Sequence, residues 1–238
     1  MYPPEEPQPP ANGDVSDAEY TPYVPRQRAA KQERTPYRSE SADPLFGLLI
    51  AIALSIGLTP LLPQQADLRY TLVWAAMAGF GVLAWLLGSG TRIAQEKPEN
   101  LVWGVVFGLI LGAPLLLLGS SALASTVRRL FADMSVGTLL AYVVFVMPLA
   151  ETLFLRGVLQ EKRRFWMAAL LSSVWSGVLY LPLLDVGRFP GPALVIGVTL
   201  LMMNVMYSYV RQRNGLAAAW LCQITANLVL LALPFLGG

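Results

Sequence analysis

The sequence contains no histidine, a single cysteine and few charged residues for its length. Lys, Arg, Asp and Glu make up 13% of the 238 residues, whereas a soluble domain carries about 25%. Without imidazole the chain lacks the commonest general base and the commonest catalytic metal ligand, and a serine–histidine dyad is excluded. The lone Cys222 excludes an intramolecular disulfide framework. A net charge of +2 gives no reason to expect binding to nucleic acid.

The charges that are present concentrate at the beginning of the chain. Residues 1–44 hold 13 of the 32 charged residues and nine of the 18 prolines. This composition buries too little apolar surface to offset the entropy of ordering, so we expect a disordered, proline-rich cytoplasmic tail. Its basic second half could lie on anionic lipid or bind a partner, or the tail could be a solvated linker that fixes topology. We expect N-terminal transmembrane helices at 45–135 and a transmembrane core at 136–238.

Long apolar runs dominate the rest of the sequence. A membrane-spanning helix needs about 20 apolar residues. The fold class predicted is therefore all-α, a polytopic integral membrane helical bundle of about seven transmembrane helices. Six or eight helices remain possible, because prolines interrupt the first and third runs. The predicted spans are 45–63, 70–88, 101–123, 136–157, 165–184, 190–210 and 215–236.

The basic residues predict the orientation of these spans. With the N-terminus in the cytoplasm, cytoplasmic segments hold 13 of the 17 Lys and Arg residues, as the positive-inside rule requires. Helical spans indicate the plasma (inner) membrane of a prokaryote, since proteins that span the outer membrane are barrels. The four basic residues left on the outer side are Arg69, Arg128, Arg129 and Arg188.

The first three runs carry small residues in place of polar ones. Gly104, Gly108 and Gly112 recur every four residues, and Ala75 and Gly79 form a second such ridge. Ridges of this kind let helix backbones approach closely in membranes. They indicate either a dimerisation face or close packing within the bundle itself.

Polar residues in the last four runs predict a polar cluster inside the bundle. In hydrocarbon a polar side chain has to find a partner, so polar positions mark inward faces. Glu151 is the only acid within a run. It is either a site carboxylate facing a polar cavity, or a group hydrogen-bonded to the seventh helix or reaching toward Arg156. The other polar positions, at helical spacing, are Ser173, Ser176 and Tyr180 in the fifth run, Asn204, Tyr207 and Ser208 in the sixth, and Gln223 and Asn227 in the seventh.

Three short motifs on these runs resemble those of the CPBP family, the type II CAAX prenyl endopeptidases and bacteriocin-processing membrane proteases. The family motifs read Glu-Glu-x-x-x-Arg-Gly, Phe-x-x-x-His and His-x-x-x-Asn, in this order. The resemblance covers 136–236. Family residues are matched at Glu151, Arg156, Gly157 and Asn227; Thr152 replaces the second acid, Ser176 the Phe, and Tyr180 and Gln223 the two histidines.

The resemblance implies an intramembrane metalloendopeptidase whose paired acids and two histidines hold a metal and activate water. Only Glu151 survives of those four groups. Activation of water by zinc takes about three protein ligands, so we expect no zinc or other metal cofactor. At the family's catalytic positions we then expect a vestigial Glu151 together with Arg156. The binding residues that we expect are Thr152, Ser176, Tyr180, Asn204, Gln223 and Asn227.

The sequence therefore favours a catalytically inactive, CPBP-like membrane protein that acts by binding. Its partners would be membrane lipid, a membrane-protein complex of which it is a subunit or assembly partner, or a lipid-modified (prenyl) peptide. The alternative is an active CAAX-type endopeptidase with a non-standard site around Glu151. A transporter is a third possibility, but no charged pair and no pair of broken helices indicates a transport route.

Overall fold

The structure, a computed structural model, describes residues 43–62, 64–87, 96–132, 134–184 and 186–237. Within these residues it contains seven helices that are long and apolar enough to cross a membrane, and no strand. The predicted all-α membrane bundle is thereby confirmed. The tail predicted at 1–44 lies almost wholly outside the described residues. The helices are α1 (Pro44–Leu61), α2 (Ala66–Leu86), α3 (Pro98–Leu130), α4 (Val136–Lys162), α5 (Phe165–Leu183), α6 (Pro190–Asn214) and α7 (Leu216–Leu236).

Several helices extend beyond the apolar runs that predicted them, because their ends are polar. α3 continues to Leu130 across a break at Gly119, whose φ and ψ are −133° and 25°. α2 begins four residues earlier than predicted, and this places Arg69 inside the helix with no exposed surface. The prediction that Arg69 lies in an outer loop is therefore wrong. Its guanidinium is solvated by protein carbonyls, as described below.

α4 and α7 form the centre of the bundle. In each, 56% of the residues in the most apolar stretch are buried, against 22–39% in the other five helices. α4 contacts α2, α5, α6 and α7, and α3 packs along the length of α7. α4 and α7 are thus held among α2, α3, α5 and α6.

The glycine ridge of α3 provides the close approach to α7. A Cβ on Gly108 would lie 2.6 Å from the Cβ of Thr225, and one on Gly112 would lie 2.9 Å from the Cβ of Val229. Gly104 meets the backbone of Ala218 in the same way. This ridge therefore packs within its own bundle, as one of the two interpretations predicted.

Two parts of α4 are wound as π-helix, and the longer one covers the first motif. The π stretches are Tyr142–Val146 and Thr152–Leu159. In an α-helix two residues five positions apart point about 140° away from each other. Hydrogen bonds of the i→i+5 type bring such residues back toward one side. Glu151 and Arg156 are five positions apart, and both are buried.

The N-terminal end of α7 is capped by a side chain from another part of the chain. The Glu96 carboxylate accepts hydrogen bonds from the backbone N–H groups of Ala217 (2.9 Å) and Ala218 (3.1 Å). A carboxylate at this end also complements the positive end of the helix dipole. Gly215, which joins α6 to α7, has a φ of 104° and abuts Glu96. A side chain there would be both strained and obstructed.

Candidate functional site

Glu151 lies at the centre of a hydrogen-bonded cluster formed by α2, α4 and α7. Its Oε2 accepts a hydrogen bond from Nε2 of Gln223 at 2.6 Å, and its Oε1 accepts one from the indole N–H of Trp74 at 3.2 Å. The Thr152 hydroxyl donates to the other end of the same Gln223 amide, 3.2 Å from Oε1. We call these four residues, Trp74, Glu151, Thr152 and Gln223, the carboxylate cluster. All four are buried.

The hydrogen bonds of the carboxylate cluster bear on the two interpretations of Glu151. The carboxylate is hydrogen-bonded to the seventh helix, as one of them predicted, and it makes no salt bridge with Arg156 in the described part of the chain. Each carboxylate oxygen accepts a hydrogen bond from a neutral donor. Such bonds to an ionised acceptor are stronger than those between neutral groups, and they offset part of the cost of burial.

Arg156 forms a separate polar cluster with α5 and α6. Its Nη1 donates to the Ser172 hydroxyl at 2.8 Å, and its Nη2 donates to Oδ1 of Asn204 at 2.6 Å. Asn204 in turn donates to the Ser176 hydroxyl at 3.2 Å. The guanidinium also lies 5.8 Å from the ring centroid of Tyr207, within the range of cation–π attraction. We call Arg156, Ser172, Ser176, Asn204 and Tyr207 the guanidinium cluster.

The predicted site residues therefore meet in two groups. Thr152 and Gln223 surround Glu151, whereas Ser176 and Asn204 belong with Arg156. Asn227 lies one turn beyond Gln223 and donates to the backbone carbonyl of Val143 at 3.3 Å, which ties α7 to the first π stretch of α4. These partners give Asn227 a packing role between α4 and α7.

Tyr180, which stands at a family histidine position, belongs to an aromatic group next to the site. Its ring centroid lies 6.2 Å from that of Tyr70, and Tyr70 stacks on Trp74 at 5.0 Å. The aromatic group therefore connects α5 to the indole that donates to Glu151. Tyr180 is buried, with 8% of its surface exposed.

Sequence reasoning missed two buried polar side chains of α2. Trp74 was not singled out, although an indole N–H inside a span is a donor that has to be satisfied. Arg69 donates to the backbone carbonyl of Ser55 (3.0 and 3.2 Å) and to that of Leu179 (2.8 Å). These carbonyls lie near the ends of α1 and α5, where the helix dipole favours a cation. The signal for Arg69 was present in the sequence, since a charge one turn inside a helix end has to reach either water or such carbonyls.

The metal that the resemblance implies does not fit these side chains. Glu151 is the only carboxylate in the carboxylate cluster, and both of its oxygens already accept hydrogen bonds. The sequence holds no imidazole, and among the described residues no three His, Cys, Asp or Glu side chains come together as a ligand set. Hydroxyl and amide groups of Thr152, Tyr180 and Gln223 do not replace the thiolate, imidazole and carboxylate ligands of zinc.

Comparison with known proteins supports the resemblance. Residues 134–229 match the family described as type II CAAX prenyl endopeptidase, Rce1-like. The match covers α4, α5, α6 and most of α7, which carry both polar clusters apart from Trp74. No curated protein and no solved structure gives a significant match to the chain.

Proposed function

Because residues 134–229 match the Rce1-like family of type II CAAX prenyl endopeptidases, we propose that the chain is a non-hydrolytic member of that family that acts by binding. The observation that carries the proposal is the state of Glu151. Both oxygens of the one retained family acid accept hydrogen bonds from Trp74 and Gln223. A carboxylate held in this way serves as a structural acceptor, and that role competes with activating a water.

The carboxylate cluster would then preserve the architecture of the family without its chemistry. Gln223 joins α7 to Glu151 and Thr152 of α4, and Trp74 adds α2 to the same point. A hydrogen-bonded network of this kind fixes the relative positions of three helices, which is what a binding surface requires. The occupants that we propose are a partner membrane protein or a lipid-modified peptide of the prenylated class, in the plasma membrane of a prokaryote.

An active endopeptidase with a non-standard site remains the second candidate, and one observation favours it. The chain retains Glu151, Arg156 and Asn227 of the family pattern. Glu151 directly precedes the π-wound stretch that holds Arg156, and both are buried. A relic would be free to lose them. Under this hypothesis Glu151 would act as a general base, and a residue supplied by a partner would complete the site.

A hydrolysis assay separates the two candidates. The full chain, purified in mild detergent, is incubated with a prenylated peptide that ends in a CAAX sequence, with and without added zinc and with a chelator. We expect no cleavage above that of Glu151→Gln, which keeps the size of the side chain and removes the charge. Cleavage that wild type shows and Glu151→Gln lacks would overturn the proposal in favour of the active endopeptidase.

Restoring the family side chains tests the same proposal from the opposite direction. We expect the triple variant Thr152→Glu, Tyr180→His, Gln223→His to bind zinc more tightly than wild type, because it supplies two acids and two imidazoles at the family positions. The measurement is competition with a fluorescent zinc chelator. The control is Thr152→Glu, Tyr180→Phe, Gln223→Leu, which lacks both imidazoles. Equal zinc affinity of wild type and the triple variant would show that the site no longer has the family's geometry.

Purification of the tagged chain from its own membrane, with quantitative mass spectrometry, identifies the kind of partner. A membrane protein present near one to one would assign the chain to a complex. Isolation without a protein partner would favour the lipid-modified peptide as the ligand. The same detergent-purified chain can then be titrated with that peptide.

A further inference from the structure

An apolar groove lies between α1, α5 and α6, and no residue of the carboxylate cluster lines it. Its volume is about 680 Å³, in the range of ligand pockets, which hold about 300–1,000 Å³. Along α5 the lining extends from Leu170 to Leu181, which is about 16 Å at the rise of an α-helix. Ile56 of α1 and Leu200 of α6 line the opposite walls. The groove is thus long and open, in the manner of a site for an extended hydrocarbon chain.

The polar groups in the lining are already satisfied within the protein. The Ser173 hydroxyl donates to the carbonyl of Ala169 at 2.8 Å, and the Thr59 hydroxyl donates to the carbonyl of Ser55 at 3.3 Å. They are the two hydroxyl side chains of the lining. Because neither needs a partner from outside, the groove presents an apolar surface that suits an acyl chain and offers little to a polar ligand.

Two arginines lie close to one end of the groove and share a single aromatic ring. Val186 lines the groove, and Arg188 and Phe189 follow it directly in the chain before α6 begins. The guanidinium carbons of Arg188 and of Arg129, at the end of α3, lie 5.4 and 5.8 Å from the Phe189 ring centroid. All three side chains are exposed. Among the described residues the salt bridges are Arg163–Asp43 and Arg211–Glu161, so neither arginine is paired with a described carboxylate.

We infer that this groove binds an anionic phospholipid, with an acyl chain between α5 and α6 and the phosphate at Arg129 and Arg188. Two like charges gathered on one ring repel each other, and an anion between them removes that repulsion. Guanidinium groups are well suited to phosphate because they present parallel N–H donors. The end of α3, the end of α5 and the start of α6 lie on one side of the membrane, and a lipid headgroup lies at this depth. The site therefore combines positive charge at one end with apolar surface along its length, which matches an anionic amphiphile. It is independent of the carboxylate cluster.

Lipid titration of the purified full chain tests the inference. The probes are phosphatidylglycerol and phosphatidylcholine with identical acyl chains, added to the detergent-solubilised protein and followed by native mass spectrometry. We expect wild type to bind phosphatidylglycerol more tightly. In the Arg129→Ala, Arg188→Ala variant we expect this affinity to fall about fivefold for each arginine removed. The affinity for phosphatidylcholine should change little.

A groove-filling variant tests the acyl-chain half of the site. Gly197 lines the groove, and a Cβ there would meet no atom within 4 Å. Gly197→Leu should therefore fold and occupy the space of the acyl chain, and we expect bound phosphatidylglycerol to be lost. The matched control is Gly79→Leu on α2, where a Cβ also meets nothing within 4 Å and which does not line this groove. The charge control is Arg164→Ala, Arg213→Ala at the opposite ends of α5 and α6, and size-exclusion chromatography checks that each variant is folded.

Two results would overturn the inference. One is equal affinity of wild type for the two lipids, which would mean bulk annular lipid only. The other is a Gly197→Leu variant that binds phosphatidylglycerol like Gly79→Leu. Neither result bears on the hydrolysis assay or on partner capture, so the proposed function stands or falls separately.

Discussion

The two buried charges of α4 are stabilised by different parts of the bundle. Glu151 takes its hydrogen bonds from α2 and α7, whereas Arg156 takes its hydrogen bonds from α5 and α6. They are only five residues apart, and yet they form no direct ion pair in the described part of the chain. One helix thereby organises four others through two charges of opposite sign. Two buried charges on one helix can therefore each be stabilised by packing against different neighbouring helices.

The two clusters also differ in how completely their polar atoms are satisfied. Both oxygens of Glu151 have donors, whereas Nε of Arg156 and the hydroxyl of Tyr207 are buried without a hydrogen-bond partner. The guanidinium cluster is therefore the less completely satisfied of the two. Because an unpaired buried donor is costly, substitutions that remove the remaining acceptors or the cation itself should show larger effects than those at the carboxylate.

The largest expected effect is that of Arg156→Met. It removes the cation that binds Ser172 and Asn204 and leaves Glu151 as a buried charge without a nearby countercharge. Breaking a buried charged network in this way costs about 3–5 kcal/mol. The measurement is unfolding in mixed micelles by titration with SDS. Arg156→Lys keeps the charge with fewer donors and should lie between wild type and Arg156→Met; a loss below about 1 kcal/mol for Arg156→Met would contradict this account.

Gln223→Leu should come next, with a loss of about 1–3 kcal/mol in the free energy of unfolding. It deletes the 2.6 Å hydrogen bond to Glu151 and the acceptor of Thr152 in one step. The same titration measures it. Ile224→Leu, the next position on α7 and a partly exposed one, controls for changes in packing. If the two variants unfolded alike, Gln223 would not be the link between α4 and α7.

Trp74→Phe should have a smaller effect, about 0.5–1.5 kcal/mol, because it removes the longer of the two bonds to Glu151 and keeps most of the ring. Combining it with Gln223→Leu sharpens the comparison. Both donors serve one carboxylate, so the double variant should lose more than the sum of the single losses, since Glu151 is then left without any donor. Additive losses would mean that the two donors act independently.

Much of the fold and part of the site could be predicted from the sequence, because membrane burial leaves a direct compositional signal. Seven apolar runs predicted seven helices, and the contact of Glu151 with α7 was one of the alternatives that its position in the fourth run left open. The division into two clusters could not be predicted. It depends on which helices pack against α4 at Glu151 and at Arg156. It also depends on the π winding of Thr152–Leu159, and no residue pattern records either feature.

The contribution of α2 to the site could not be predicted from the sequence for a different reason. Hydropathy counts tryptophan as nearly neutral and arginine as a residue of loops, so neither Trp74 nor Arg69 stood out as a buried polar group. The structure places both inside α2, where each finds acceptors on other helices. Whether an internal polar group is satisfied depends on partners that are distant in the chain. The sequence alone shows the need for a partner, and only the packed bundle shows which partner meets it.

The smallest expected effect concerns a pair outside the spans, and it contrasts a partly exposed charge with the two buried ones. Asp43 caps α1 by accepting from the backbone N–H of Leu45 at 2.9 Å, and it forms an ion pair with Arg163. The hydrogen bond from Leu45 and then the Arg163 guanidinium lower the pKa of Asp43 below its ordinary value of 3.8. A lowered pKa in the folded state means that the stabilisation is complete above the ordinary pKa and is lost as the pH falls through the folded value.

We therefore expect the melting temperature of wild type to decrease slightly as the pH falls below about 4. Asp43→Asn should not show this decrease in melting temperature, because asparagine caps a helix as well as aspartate does but does not ionise. Scanning fluorimetry between pH 6 and pH 3 would compare the two proteins. Arg163→Gln should make the decrease in melting temperature at low pH smaller than in wild type. The pair is partly exposed, with side-chain accessibilities of 38% and 30%, so water screens it. A pH dependence as large as the loss in Arg156→Met would show that the partly exposed pair, and not the buried charges of α4, dominates the electrostatic stability of the bundle.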